Sequence, residues 1–365
     1  MSGRLRRLAL IAAVAVVWFV VFEAALRVHG GSEAAPAFQQ LFMSDPATGH
    51  RLRPGAATRY TTAEFSTTIA INAHGVRDDE PIPPKAPHER RVVVLGDSIV
   101  FAVQVAQSQT FCEQLEGRLN ARGDGRRYRV INAGVQGYGP AEIVRFFETV
   151  AAGFEPDLVL VTTFVANDAV EALDRTWRLD DTRGVGERAR EDAENRLRRV
   201  VRRSMVLQIA RQRADQVLEQ FETRQPAPDR RLLSYAAPLR PDIARGFDLA
   251  RDAMARLATE VSRRGARLAL VQVPARFQLD QAEFQRMQVE VGRFGYRLEI
   301  DGASERFALA YAPLGLPMVD LLEAFRASRH PNRLFFERTV HLTAEGHQVA
   351  ADALMRFIDR QSLLP

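Results

Sequence analysis

This 365-residue sequence holds a single cysteine, Cys112, and a single lysine, Lys85. One cysteine forbids an internal disulfide and says little about redox compartment; it is expected to pack on a helix. The remaining positive charge is arginine, interspersed with Asp and Glu to a net charge of only +5. No aromatic-basic platform accompanies it, so the arginine bias does not indicate nucleic-acid binding. There is no internal repeat, no useful heptad run and no cluster with metal-ligand spacing, and no metal or cofactor is expected. Of the seven histidines, only His341 and His347 lie within six residues of one another in a plausible site context.

The 46% apolar content supports a substantial core, and the length accommodates one large α/β domain with additions. At the front, Arg4, Arg6 and Arg7 precede an uncharged run from Leu8 to Phe22, close to the ~20 residues needed to span a bilayer. Glu23 and Arg27 stand where a cleavage site would be needed, so an uncleaved anchor over 1–29 is expected rather than a signal peptide. The flanking arginines place the N-terminus in the cytoplasm. The expectation is a single-pass protein of a bacterial inner membrane with its catalytic domain periplasmic. Residues 30–88 read as a juxtamembrane linker and a small β-rich segment containing Ser66–Asn72 and the turn Ala73–Arg77, closed by a proline-rich stretch over 81–88.

From Arg91 onward, strand and helix patterns alternate. Strands are predicted at Val92–Leu95, Arg129–Asn132, Asp157–Thr163, Arg267–Val273 and Met318–Asp320, with helices near 108–121, 140–152, 244–264 and 345–361. Such alternation implies a mostly parallel sheet with helices on both faces, a three-layer α/β/α domain over 89–365. The rhythm breaks at about 174–241. There Glu187–Thr223 has helical periodicity, and we expect a helical insertion whose Arg198, Arg199, Arg202 and Arg203 form either a solvated face or a patch for lipid headgroups or an acidic substrate.

The apolar run Val92–Leu95 ends in Gly96-Asp97-Ser98, a turn that lifts a hydroxyl off a strand end, where open α/β sheets keep their chemistry. A serine there is a nucleophile only with a base for its proton and donors for the oxyanion. Gly134 in Asn132-Ala-Gly-Val-Gln-Gly-Tyr-Gly139, Asn167 at the end of another apolar run, and His341 ahead of Thr343-Ala344-Glu345 follow in order. Taken singly, each has a plainer reading: Ser98 and Asn167 as helix caps, Gly134 as a turn glycine, His341 as a surface histidine.

Together, Ser98, Gly134, Asn167 and His341 resemble the SGNH (GDSL-type) hydrolase superfamily, over roughly half of the chain. That resemblance implies a flavodoxin-like fold, with Ser98 as nucleophile and His341 as base. It also implies an oxyanion hole formed by the Ser98 N–H, Gly134 and Asn167. Asn72, Gly75 and Arg77 look like what precedes the catalytic domain in many membrane-anchored bacterial members. One position departs: the family's usual aspartate three residues before the histidine is here Arg338, which cannot accept a hydrogen bond from the ring. Either Glu337 replaces it, or a backbone carbonyl orients His341 in a Ser-His dyad. The implied function is a serine esterase removing small acyl groups, such as acetate, from a carbohydrate or other ester-bearing envelope molecule. The alternatives are an O-acyltransferase acting on extracellular polysaccharide and a non-catalytic glycan-binding protein.

Overall fold

The computed structural model describes Val14, residues 17–21, 38–78, 82–175 and 228–364. It divides into two units, one of residues 1–37 and 182–227 and one of residues 38–181 and 228–365. In the first, the described residues are helical, and the apolar side chains of Val14 and of Val17 to Val21 are exposed. Among the described residues no helix is long and apolar enough to cross a membrane, which overturns the expected anchor and the inner-membrane, periplasmic localisation built on it. The rest of 1–29, and the helical periodicity of Glu187–Thr223 with its arginines, lie outside the described residues.

The second unit begins with two antiparallel hairpins. Strands β1 (Phe42–Asp45) and β2 (Gly49–Leu52) pair in the first, and β3 (Ala57–Thr61) and β4 (Ser66–Ala70) in the second. The chain then turns at Asn72, whose Oδ1 accepts the N–H groups of His74 and Val76. Beyond it the alternating segment unfolds in order: β5 (Glu89–Gly96), α1 (Ser98–Phe101), α2 (Phe111–Asn120), β6 (Arg127–Gly134), α3 (Pro140–Thr149), β7 (Leu158–Phe164) and α4 (Asp168–Arg175). After residue 228 come β8 (Ala236–Ala237), α5 (Pro241–Ser262), β9 (Arg267–Val273), α6 (Gln281–Gly292), β10 (Arg297–Leu298), α7 (Gly302–Tyr311), β11 (Met318–Asp320), α8 (Leu321–Arg326) and α9 (Ala344–Arg360).

Five strands form one sheet in the order β11-β9-β7-β5-β6, every pair parallel. The two-residue period of a strand sorts the β5 side chains between its faces. Val93 and Leu95 join a core with α3, α4, α5 and α7, while Val92 and Val94 join one with α2, α8 and α9. Helices on both faces explain why β5 and β7 are apolar without alternation. The five predicted strands and four predicted helices are all present, and the strand ends extend further than the apolar runs. β5 reaches back to Glu89 because the buried Arg91 guanidinium pairs with Glu89 at 2.6 Å and donates to the carbonyls of Phe154 and Pro83.

The chain leaves β5 for β6 on one side, then returns to β7 on the other. The carboxyl ends of β5 and β7 therefore flank the point where strand order reverses, the place an open α/β sheet offers a ligand.

Candidate active site

Ser98 opens α1 directly at the carboxyl end of β5, capped by Asp97, whose Oδ1 accepts the Ile99 N–H at 2.9 Å. The turn depends on two glycines that permit close approach. A Cβ on Gly96 would lie 2.0 Å from Thr162 Oγ1, and one on Gly134 would lie 2.4 Å from the Phe101 nitrogen and 2.6 Å from Val100 Cβ. Gly134 thus lets α1 rest on the end of β6. Its N–H is already used, donating at 3.1 Å to Asn132 Oδ1, while Asn132 Nδ2 donates at 2.7 Å to the Val100 carbonyl. In this structure Gly134 is a packing glycine. The half-exposed Gly137, at φ +75°, lies on the turn beyond, and its carbonyl accepts from Arg175.

Asn167 follows β7, as the sequence implies. Its side chain lies beside the Asp97 carboxylate and lowers its pKa, and its Oδ1 is buried without a partner among the described residues. Burial pushes Asp97 up to about 6 despite the hydrogen bond from Ile99 and the neighbouring Asn167 side chain. Asp168 accepts the Phe164 N–H at 3.1 Å, and burial, with the neighbouring Asp97 charge, raises it well above the usual carboxylate range. Glu171 is pushed up to about 8 by burial, only partly opposed by Arg175. No motif in the sequence signals this acidic floor beneath the switch point, because it gathers Asp97 from one strand end and Asp168 and Glu171 from the next helix.

His341 arrives from the C-terminal loop. Leu342, beside it, bridges Phe335, and both enter the same hydrophobic core as Ile99, beside Ser98. The histidine's carbonyl accepts the Phe336 N–H at 3.0 Å. Arg276 braces this loop by donating to the Phe336 carbonyl at 2.9 Å and to the Glu337 carbonyl, while Glu283 pairs with it at 2.6 Å. Both His341 ring nitrogens are shielded from solvent and have no hydrogen-bond partner, and the Ser98 hydroxyl makes no hydrogen bond among the described residues. Catalytic hydrogen bonds of this kind commonly tighten only around substrate. His347 is distinct: it is buried, stacked on Phe111, and its Nδ1 accepts the Phe111 N–H at 3.2 Å.

Burial alone pulls His341 down to about 4, because a cation there has no counter-charge or acceptor. A base works when neutral, so activity should rise with pH through about 4 and be level by pH 6, instead of turning on near the ordinary histidine value of about 6.5. The acid limb of kcat/KM checks this. A midpoint above about 6 would show that a carboxylate holds the imidazolium in the free enzyme.

The two groups nearest the missing acid point elsewhere. Glu337 is exposed, and what the structure uses of it is the carbonyl held by Arg276. Arg338 is exposed, and its backbone N–H donates at 2.9 Å to Glu64 Oε1 on the turn between β3 and β4. Glu337→Gln should accordingly leave kcat within about twofold, whereas loss of an orienting acid costs up to about 10⁴. A hundredfold loss with the fold intact by circular dichroism would show that Glu337 orients the ring.

Ser98 and Asn167 thus stand at the ends of neighbouring strands of a doubly wound parallel sheet. The chain belongs to the GDSL-like lipase/acylhydrolase family, whose model matches residues 94–349. Among solved structures, it is similar to TesA, with 16% identity over 75% of this chain and 100% of that one and a TM-score of 0.42. A lipase/acylhydrolase from Enterococcus faecalis matches at 15% identity over 74% of this chain and 96% of that one, with a TM-score of 0.41. A variant of Axe2, an acetylxylan esterase from Geobacillus stearothermophilus, matches at 15% identity over 74% and 94%, with a TM-score of 0.40. No curated protein matches the sequence.

Proposed function

We propose that the protein is a serine ester hydrolase that removes small acyl groups, acetyl among them, from a carbohydrate or another ester-bearing molecule. The observation that carries this reading is Ser98 at the switch point, at the end of β5 and beside the end of β7, in a chain of the acylhydrolase family. In the first step, His341 takes the Ser98 proton as Oγ attacks the ester carbonyl, forming a tetrahedral oxyanion. The same imidazolium then protonates the departing alkoxide, and an acyl-Ser98 ester remains. Water, deprotonated by His341, attacks that ester; as the tetrahedral intermediate collapses, the imidazolium returns the proton to the departing Ser98 Oγ and the acid is released. The oxyanion is received by the Ser98 N–H and the Asn167 amide. With the Gly134 N–H held by Asn132, the third donor is assigned to the Gly137 N–H, which makes no hydrogen bond among the described residues.

Asp97 contributes indirectly by capping α1 beside the Asn167 side chain. Among the described residues no carboxylate partners His341, so the machinery is a dyad, slower than a triad. That same lack of a partner, with Arg338 at the acid position, favours a second reading: a non-catalytic glycan-binding protein that keeps the fold. Hydrolysis of p-nitrophenyl acetate with labelling of Ser98 by a fluorophosphonate decides between them, because labelling requires an activated hydroxyl. Neither reaction occurring would leave only the binding protein.

A further inference from the structure

The turn that carries Gly137 is gripped by β2, a strand outside the segment shared with the family, which begins at residue 94. The grip is His50. Its ring Nε2 lies 2.8 Å from the Gln136 carbonyl oxygen, and its own carbonyl accepts the Tyr138 hydroxyl at 2.7 Å. A carbonyl oxygen only accepts, so a ring hydrogen sits on Nε2. The ring meets Phe42 edge-on at 5.8 Å and Tyr138 at 5.4 Å, and Phe42 in turn meets Phe101, the last residue of α1. One hairpin therefore touches both the helix that begins with Ser98 and the turn beyond β6. That turn stands at the site, since Gln136 lines the same cavity as His341.

The Tyr138 N–H returns to the Val135 carbonyl at 3.2 Å, with Gly137 at φ +75° and Gln136 outside the left-handed region, which makes this a type II turn. A type I turn closes with the same hydrogen bond. It differs by turning over the peptide between the two central residues, here Gln136 and Gly137. Glycine adopts either sign of φ about equally, so residue 137 does not itself choose between the two forms. The Tyr138 N–H and the Gly137 carbonyl, which accepts from Arg175, both belong to the next peptide. Among the described residues, only His50 hydrogen-bonds to the 136–137 peptide. That peptide is trans, and its N–H points opposite to its carbonyl. Drawing the Gln136 oxygen toward β2 therefore turns the Gly137 N–H away from β2. The flipped peptide would present a carbonyl oxygen in place of that N–H, and a developing oxyanion would meet the negative end of the dipole.

We infer that His50 is a positioning residue: through the Gln136 carbonyl it holds the Gly137 N–H in the orientation that receives the oxyanion, so the β1–β2 hairpin completes the oxyanion hole. The use made of that N–H rests on the hydrolase reading, whereas the clamp itself does not.

The test compares two variants of the full chain. His50→Phe keeps a ring against Phe42 and Tyr138 but has no donor, while the amide of His50→Gln offers an N–H at a similar reach to the imidazole Nε2. With p-nitrophenyl acetate, His50→Phe should lower kcat by about tenfold or more, up to the 10²–10³ that removal of an oxyanion donor costs, with KM within about threefold. His50→Gln should recover most of that loss. A merely structural contact would move the unfolding midpoint and leave kcat of the folded enzyme unchanged. Equal kcat in all three proteins, or a loss in His50→Phe that His50→Gln does not recover, would overturn the inference. A second readout needs no activity. Gln136-Gly137 is the only Gln-Gly step in the sequence, so carbon-13 at the glutamine carbonyls and nitrogen-15 at the glycines isolate this peptide as one NMR signal. His50→Phe should shift or split that signal, and His50→Gln should restore it. An unchanged signal in His50→Phe would overturn the clamp even in an active esterase. A signal that responds to His50 in a protein hydrolysing no ester would keep the clamp and remove the hydrolase reading instead.

Discussion

Ser98→Ala is expected to lower kcat for p-nitrophenyl acetate by a factor on the order of 10⁴ or more, with KM within about threefold, because the nucleophile acts in the transition state and contributes little to ground-state binding. The fold should survive: Ser98 is 9% exposed, its hydroxyl bonds to nothing among the described residues, and the cap of α1 belongs to Asp97. Stability should therefore change by less than about 0.5 kcal/mol, in keeping with a small substitution that leaves no orphaned partner. His341→Ala should cost a similar factor, and the double variant little more than either alone, since a nucleophile and its base act as one unit. Multiplicative losses would show that the two side chains act separately. A dyad lacking an orienting carboxylate also starts lower, so the wild-type rate should sit well below that of a complete triad.

The parts of this site that were legible in the sequence are those carried by one local stretch. A buried strand announces itself by an unbroken apolar run, and Gly96-Asp97-Ser98 ends such a run; hence Ser98, the parallel sheet and the start of α9 at Thr343, whose Oγ1 accepts the Gly346 N–H, were readable. Strand ends were less so, because Arg91 and Glu89 neutralise each other inside the protein and their letters argue against burial. The role of Gly134 illustrates another limit. The sequence shows a glycine beyond a strand, but only the fold shows that Asn132 takes its N–H and that α1 presses on its Cα. Glu64 and Arg276 were invisible for a different reason. Each acts on a partner 60 or more residues away, and no spacing rule encodes that. The anchor failed differently: an apolar run of the right length satisfies hydropathy, but among the described residues no helix is long and apolar enough to cross a membrane.

Arg77→Met is expected to destabilise the protein by about 3–5 kcal/mol, the largest stability loss among single changes near the site. The guanidinium is almost wholly buried and donates to three carbonyls, Phe101 at 2.8 Å, Val105 at 2.7 Å and Ala102. Burial lowers its pKa to about 10, so the charge persists at neutral pH and its donors stay available. Those three carbonyls belong to the stretch that leaves α1, where Ala102 sits at φ +53°, a conformation an alanine adopts only under restraint. Without the fork, the Phe101 and Val105 carbonyls lose their donor at about 1–3 kcal/mol each, partly recovered by relaxation and water, while the Ala102 carbonyl keeps the Val105 N–H at 3.3 Å. Arg77→Lys keeps the charge but not the planar fork and should recover less than half of the loss. Because the same stretch starts at Ser98, kcat should fall along with stability, unlike a remote core truncation that changes stability alone. Urea unfolding followed by circular dichroism, with kcat measured well below the transition, tests both parts. An unchanged midpoint in Arg77→Met would mean that the carbonyls find other donors, and that the nucleophile helix is held by its glycine contacts with β6 instead.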